Sequence, residues 1–401
     1  MSEESLFQKS IQYAKEIDER IPFYVFDIDS FHKRLDDVRE KLYDTKLVFA
    51  IKANPFLTGI SDKHVDYFEV CSSGELEVCI NESINLKKVV YTGVLKTKSD
   101  VEYALDSKVG FISVESENQL ELIKGYCRQK SEGDKVKVIL RCASDRFGME
   151  DDQILHIISK RKEYEALGII FVALQQFTGT QKKIDKTINE LEELNEFAGK
   201  LESLTGWRPQ FLELGAGLKL PYFINQQGYK PYEELDKLID KMKSVSYPIH
   251  LELGRYITAP CGYYFTTVLD VKKHGSVNYA LLNGGIGHIT YYQSNMGMRI
   301  PVIIHLDGVD GSIIPNEDKQ GKKWTLCGPI CSTLDTVAKD TELTKLKLND
   351  YLVFTLAGAY SMTWSNFLFL SRPMPEIIFY LDEELKVVRG SIKTSTLNTV
   401  T

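Results

Sequence analysis

The chain has 401 residues, of which 43% are hydrophobic and 26% are charged, so its composition is that of a globular protein long enough for two or three domains. A formal net charge of -7 gives no electrostatic attraction to nucleic acid or to an anionic membrane, and we predict neither as a partner. Seven cysteines without a CxxC pair and seven scattered histidines predict neither a disulfide framework nor a metal site.

The N-terminal segment, residues 1–20, is charged and amphipathic and lacks the apolar core of a signal peptide. No apolar run in the chain reaches the length of a membrane span, so we predict a cytoplasmic protein. A short strand over residues 23–26 follows. We predict that it pairs with the C-terminal part of the chain, which makes that domain discontinuous.

Short apolar runs then alternate with longer amphipathic, charged stretches. The eight runs cover residues 47–51, 66–70, 88–91, 110–114, 136–142, 168–174, 210–214 and 248–253, and helical patterns between them include 31–42, 119–128, 151–163, 183–201 and 232–245. This alternation predicts a parallel sheet with helical crossovers. Eight repeats fit a closed (β/α)8 barrel, although an open doubly wound sheet could also hold eight strands.

After Arg255 the pattern changes to strands joined by turn-rich links. The predicted strands cover residues 263–273, 279–282, 299–306, 324–326, 351–356, 376–381 and 386–389. We therefore predict an α/β fold in which a TIM-type (β/α)8 barrel over residues 27–260 is joined to an all-β domain. The β-domain is formed by residues 1–26 and 261–401.

Lys52 directly follows the first predicted barrel strand, and the turn signal Asn54-Pro55 comes next. Burial at a strand exit disfavours the ammonium form of a lysine and frees the amine to attack a carbonyl group. The alternative is a lysine that marks the end of the strand and reaches water with its amine.

Polar and glycine-rich segments follow the other predicted strands, at the end of a barrel where active sites lie. They are Glu69 with residues 72–75, residues 146–148, residues 175–180, residues 215–217 and residues 252–255. Glycines in the last two loops can approach an anion, and Arg255 adds a cationic fork, so we predict a phosphate site; the glycine loop taken alone would be an ordinary tight turn. A lysine amine, a phosphate site and a buried carboxylate, for which we select Glu252, are what pyridoxal 5′-phosphate (PLP) requires.

The chain resembles the fold-type III PLP-dependent decarboxylases, a family that includes the ornithine, arginine and diaminopimelate decarboxylases. The resemblance rests on ordered motifs: FAIKANP at 49–55, CSSGELE at 71–77, RFGM at 146–149, GTQ at 179–181, GAG at 215–217, ELGRY at 252–256, CGPICSTLD at 327–335 and GAY at 358–360. It implies a barrel with a β-domain, a homodimer with shared active sites, and decarboxylation through an aldimine on Lys52 and a quinonoid.

The resemblance also implies site residues. Those implied for the cofactor are Lys52, Glu69, Arg146, Phe177, Thr180, Gly215, Gly217, Glu252, Gly254, Arg255 and Tyr360. Phe177 stands where the family usually has a ring-stacking histidine. Cys331 matches a cysteine that reaches the active site from the partner subunit and donates a proton after CO2 leaves; the alternative is a buried structural cysteine.

The implied substrate-binding residues are Cys331, Ser332, Asp335 and His288. Decarboxylases of basic amino acids carry an acidic residue directly after the cysteine, which pairs with the distal ammonium of the substrate. Ser332 cannot supply that charge. Residues 283–288 are more similar to branches of specialised metabolism, including siderophore biosynthesis, that act on amino acids attached to citrate or to a carrier protein.

We therefore expect removal of the α-carboxylate from an amino acid or a conjugated amino-acid intermediate, with a carrier protein as a further partner. Two alternatives remain open. A racemase of the same barrel class would place an arginine where this chain has Glu252. A non-catalytic PLP-binding homologue would lack the second domain, and a regulatory homologue would be expected to lose Lys52 or Cys331.

Overall fold

The structure is a computed structural model that describes residues 3–17, 21–130, 135–291, 297–315 and 322–400. Packing divides the chain into two compact units. One comprises Met1–Lys33, Pro221–Tyr229 and Ile257–Thr401, and the other comprises Arg34–Leu220 and Lys230–Tyr256. The domain boundaries at residues 27 and 260 stay a prediction. Residues 221–229 belong to the first unit, whereas the prediction includes them in the barrel domain. Within that unit, Ile224 N donates to Ile300 O at 3.0 Å.

The second unit contains a closed barrel of eight parallel strands, which confirms the predicted fold class. After β1 (Phe23–Asp27), the barrel strands are β2 (Lys46–Ala50), β3 (Tyr67–Val70), β4 (Val89–Tyr91), β5 (Phe111–Val114), β6 (Val136–Arg141), β7 (Ile169–Gln176), β8 (Phe211–Gly215) and β9 (Ile249–Leu253). β9 pairs with β2 and closes the sheet. An apolar layer that includes Val90, Phe111, Ile139 and Phe211 packs together, because strands covered on both faces need apolar side chains.

Helices connect the barrel strands. The helices of the chain are α1 (Glu3–Glu16), α2 (Ile28–Leu42), α3 (Thr58–Ser61), α4 (Ser73–Asn81), α5 (Lys98–Asp106), α6 (Glu117–Gln129), α7 (Asp151–Ser159), α8 (Arg161–Glu165), α9 (Ile184–Thr205), α10 (Pro231–Met242) and α11 (Arg255–Thr258). α4, α5 and α6 begin at side-chain caps. Thr97 forms a capping box with Asp100 at the start of α5. The helix predicted over residues 151–163 is wrong in one respect, because Lys160 leaves helical geometry (φ −99°, ψ 12°) and separates α7 from α8.

The first unit is built on a sheet of nine strands. They are β1 with β10 (Gly262–His274), β11 (Val277–Leu282), β12 (Ile303–Leu306), β13 (Lys322–Cys327), β14 (Thr336–Leu343), β15 (Tyr351–Phe354), β16 (Glu376–Leu381) and β17 (Glu384–Arg389). β1 lies between β10, to which it is antiparallel, and β16, to which it is parallel, so the pairing predicted for this N-terminal strand is confirmed. α1 buries Phe7 and Ile11 against this sheet. Among the helices in the described ranges, none is long and apolar enough to cross a bilayer.

Candidate active site

Lys52 lies in a single 3-10 turn, Ile51–Ala53, at the carboxyl end of β2. Its Nζ is 2.8 Å from each carboxylate oxygen of Glu69, which lies on the neighbouring strand β3. Burial would raise the pKa of Glu69, but the charge and hydrogen bonds of Lys52 outweigh it and lower that pKa. The Lys52 side chain is 32% exposed and that of Glu69 is 5% exposed. The amine is therefore held by a buried carboxylate and still reachable from the end of the barrel.

Cys71 joins this ion pair, although the sequence analysis gave it no function. Its Sγ is 3.5 Å from Lys52 Nζ and 3.3 Å from Glu69 Oε1. Thr92 completes the cluster by donating a hydrogen bond of 2.8 Å to Glu69 Oε1. Burial, followed by the charge of Glu69, raises the pKa of Cys71 to about 12, so the group beside Lys52 is a neutral thiol. A cysteine in a loop motif carries no sequence signal for this contact.

Phe177 follows β7, and its ring centroid is 5.7 Å from Lys52 Nζ. The ring packs against the backbone at Gly215, where an added Cβ would lie 2.4 Å from Phe177 Cδ2. Gly215 is therefore required to leave room for an aromatic ring, which is a different reason from the close anion approach that the sequence suggested.

We expect Gly215→Ala to destabilise the protein by about 1–3 kcal/mol, because the new methyl group overlaps the Phe177 ring and forces it to move. The same substitution at Gly199, inside α9, is the matched control, since the nearest atom to its added Cβ is 4.0 Å away. Urea unfolding of both variants measures the difference. Equal midpoints would show that the ring is not packed as described.

The loops after β7, β8 and β9 approach one another closely. An added Cβ at Gly217 (φ +60°) would lie 2.2 Å from Gly179 O, and one at Gly254 would lie 3.0 Å from Ala53 Cβ. Buried Arg255 donates from Nε to Thr180 Oγ1 at 3.3 Å. The structure thus brings together the predicted phosphate residues Thr180, Gly217, Gly254 and Arg255.

A buried ion pair that the sequence analysis missed supports this loop cluster. Lys182 Nζ is hydrogen-bonded to Glu190 on α9 and lies 3.3 Å from Gly215 O. Thr187 donates to Ala216 O at 2.9 Å. Burial lowers the pKa of Lys182 despite the contact with Glu190. Lys182 and Thr187 therefore fix backbone carbonyl groups of the glycine loop, residues 215–217.

Glu252 on β9 is buried, with 7% exposure, and does not stand alone. The amide of Gln175 donates to Glu252 Oε1 at 2.6 Å and to Glu213 Oε1 at 2.8 Å. Burial raises the pKa of Glu252 well above its usual range, and the nearby charges of Glu69 and Glu213 add to the effect. Burial also raises the pKa of Glu213 to about 7. Glu213 was missed, although an acidic residue inside the apolar strand β8 was a usable signal.

Arg146 stays a prediction for the cofactor site. Arg146 is exposed, and its guanidinium lies 5.0 Å from the centroid of the Phe147 ring, because the loop after β6 carries it outwards. The buried arginine at the end of β6 is Arg141, which donates to Glu115 Oε1 at 2.6 Å. The motif was recognised correctly, but the charged residue that its loop buries lies before it.

The remaining predicted residues lie in the unit that contains the β-sheet. Cys331 is exposed, and Ser332 is half-buried and accepts a hydrogen bond of 3.1 Å from Leu334 N. Tyr360 is half-buried with φ 61°.

Asp335 and His288 are buried within that unit and bonded to its backbone. Asp335 is 2% exposed and accepts hydrogen bonds from Ile286 N at 2.8 Å and Ile330 N at 2.7 Å. His288 is 4% exposed, and its Nε2 is 2.9 Å from Pro373 O. These contacts bind both side chains to the backbone of the unit, and their function in substrate binding stays a prediction.

Comparisons with known proteins agree with this architecture. A family model described as "Pyridoxal-dependent decarboxylase, C-terminal sheet domain" matches residues 23–358. The diaminopimelate decarboxylase of Aquifex aeolicus is 26% identical over 92% of this chain and 88% of its own length. The solved diaminopimelate decarboxylase from Helicobacter pylori, complexed with L-lysine, has a TM-score of 0.82 at 21% identity and covers 99% of this chain and 98% of that chain.

Two other relatives have names that specify conjugated substrates. The 2-[(L-alanin-3-ylcarbamoyl)methyl]-2-hydroxybutanedioate decarboxylase of Staphylococcus aureus is 25% identical over 93% of this chain and 98% of its own length. The L-glutamyl-(BtrI acyl-carrier protein) decarboxylase of Niallia circulans is 22% identical over 92% of this chain and 90% of its own length.

Proposed function

Because the chain belongs to the family of pyridoxal-dependent decarboxylases, which makes it an amino-acid decarboxylase with PLP as its cofactor, we propose that the cluster around Lys52 is its active site. We propose further that the substrate is an amino acid whose distal end is conjugated and carries no free ammonium group. Family membership favours decarboxylation over racemisation and over a non-catalytic function. The observation that carries the substrate proposal is the chemistry of the segment around Cys331.

The residues of the barrel end suit PLP. Glu69, Glu213 and Glu252 are three buried carboxyl groups, and Lys52 already neutralises the first. A ring that brings a protonated nitrogen supplies the positive donor that Glu252 lacks. When bound, PLP accepts the electron pair left at the substrate Cα as CO2 departs.

Each side chain then has a distinct task in the proposal. Lys52 binds the cofactor aldehyde, and Glu69, at 2.8 Å, takes and returns the proton of its amine. Phe177 would pack against the bound cofactor without donating a hydrogen bond. Glu252 would hold the pyridine nitrogen, and the loops bearing Gly217 and Arg255 would bind the phosphate.

Cys331 enters the proposal from a second copy of the chain. It is exposed, and large apolar side chains of the same unit are also exposed: Leu334 by 76%, Trp364 by 64% and Phe369 by 52%. Exposed apolar side chains of this size are typical of protein interfaces. We propose a homodimer in which Cys331 of one subunit donates a proton to the substrate Cα held by the other.

The proposed selectivity for the distal end of the substrate depends on which acidic residues lie near Cys331. In the described segment 327–335 the only acidic residue is Asp335. Its two carboxylate oxygens each accept a backbone amide, and it is 2% exposed, so it does not offer a charge to a substrate ammonium. Ser332 is neutral. A free basic amino acid would bury its ammonium unpaired here, which is unfavourable. A conjugated amino acid, of the kind named for two relatives, avoids that cost; a carrier protein stays a proposed partner.

A CO2-release screen tests the substrate proposal. We expect turnover of citrate-conjugated or carrier-bound amino acids and at least about tenfold lower kcat/KM for ornithine, lysine and diaminopimelate, since one unpaired ammonium costs more than 1.4 kcal/mol. Ser332→Asp should raise kcat/KM for the basic amino acids, and Thr333→Asp, on the exposed neighbour, is the control. Efficient turnover of diaminopimelate by the wild type would contradict the proposal.

A further inference from the structure

Glu213 is a buried acid to which the proposed function assigns no task. It lies on β8, is 0% exposed, and its neighbour across the sheet is the segment of β9 that carries Glu252. Gln175 Nε2 donates to both carboxyl groups, at 2.8 and 2.6 Å. Ser113 donates to Gln175 Oε1 at 2.6 Å, which fixes the amide so that its NH2 faces the two acids. The two carboxyl groups are thus held side by side by a fixed donor.

The cations that act on this pair are already neutralised. Lys52 is bound to Glu69 through both oxygens, and Lys182 is bound to Glu190. His250 on β9 has its Nδ1 3.8 Å from Glu213 Oε2. The imidazole stacks on Phe211 with the ring centroids 3.6 Å apart, and burial lowers the pKa of His250 to about 4, so it is neutral. Two adjacent buried carboxylates with no cation of their own retain a proton between them.

One atom of the pair lacks a partner. Glu213 Oε2 and His250 Nδ1 are both buried and, among the described residues, have no hydrogen-bond partner. An ionised oxygen in that position would be unsatisfied, because His250 Nδ1, at 3.8 Å, lies beyond hydrogen-bond distance. The shared donor and the unsatisfied oxygen favour a proton held jointly by Glu213 and Glu252 while no positive ring faces Glu252.

We propose that Glu213 is a positioning residue for the cofactor ring: it shares a proton with Glu252, releases it when a protonated pyridine nitrogen binds, and thereby strengthens the hold of Glu252 on that nitrogen. The inference rests on the proposed position of Glu252 at the pyridine nitrogen. Because the positive ring favours the ionised form of Glu213, ring binding and deprotonation are linked. The affinity for the ring therefore increases as the pH is raised through the range in which Glu213 loses its proton.

The test uses 4-deoxypyridoxine 5′-phosphate, which has the pyridine ring and the phosphate but no aldehyde, so its binding does not require Lys52 chemistry. Calorimetry on the apoprotein in buffers of different ionisation enthalpy gives both affinity and proton release. For the wild type we expect tighter binding at pH 8 than at pH 6, with release of up to about one proton near pH 7. Glu213→Gln keeps the shape but cannot ionise, so we expect equal affinity at pH 6, about tenfold weaker binding at pH 8, and loss of the proton release.

Identical pH profiles for the wild type and Glu213→Gln would overturn the inference while leaving the ring site intact. No binding of the probe by either protein would instead contradict the proposed cofactor site itself. If Glu213→Gln does not fold, Glu213→Asp carries the test. Its shorter carboxylate should move the midpoint of the pH step, and an unmoved midpoint would overturn the inference.

Discussion

The purified Lys52→Ala variant is expected to lack the absorbance band near the visible edge that the holoprotein shows, and to lose decarboxylation by at least about a thousandfold. The reason is that, in the described part of the chain, Lys52 Nζ is the amine bonded to Glu69. Removing the ammonium also leaves the Glu69 carboxylate buried without its partner. Absorbance spectra with added PLP, together with CO2 release, measure both losses.

Two further variants separate the chemistry of Lys52 from its charge. Lys52→Arg keeps a cation for Glu69 but cannot act as a nucleophilic amine, so it should retain more of the folding stability and none of the colour. Lys63→Ala removes an exposed lysine and should change neither the folding stability nor the absorbance band. A coloured, active Lys52→Arg variant would refute the assignment of Lys52.

Mixing two inactive variants should restore activity if the sites are shared. In a dimer of one Lys52→Ala chain and one Cys331→Ala chain, one site has both wild-type residues and the other has neither. With random exchange, half of the dimers are mixed, so about a quarter of the wild-type activity should return. The assay is CO2 release after denaturation and joint refolding of the two proteins.

A pair from the same barrel provides the control for this mixing experiment. Lys52 and Glu252 both lie in the unit that contains the barrel, so mixing Lys52→Ala with Glu252→Gln should restore no wild-type site. Rescue in both mixtures would indicate residual activity and not sharing. An absence of rescue with Cys331→Ala, when native mass spectrometry shows mixed dimers, would place the proton donor elsewhere.

The barrel could be predicted from sequence because each of its strands is a short apolar run bounded by turn signals. β14 could not, because Thr336–Leu343 carries charged residues and bends at Asp340, which has φ 53°. Its pairing with β13 also has irregular register, so no clean alternation marks it.

The residues of the candidate site also differ in how far the sequence predicts them. Lys52, Glu69 and Glu252 could be proposed from sequence because strand ends converge in a barrel, whereas the contacts of Glu213 and Cys71 depend on distances that spacing does not encode. Arg141 ends β6 and is buried, whereas Arg146 lies in the loop that follows and is exposed. Sequence patterns therefore predict the region of the candidate site, whereas the side-chain contacts within it depend on packing.

The position of β1 has a consequence for synthesis on the ribosome. Phe23 pairs with Phe265 on one side and with Glu376 on the other, so neither neighbour exists until the barrel segment has been translated. The nascent chain therefore carries an apolar strand with two open edges while the barrel forms, a state prone to misassembly. Chains that terminate before Glu376 retain one of those edges. The N-terminal strand thus makes completion of the whole chain a condition for closing the β-sheet.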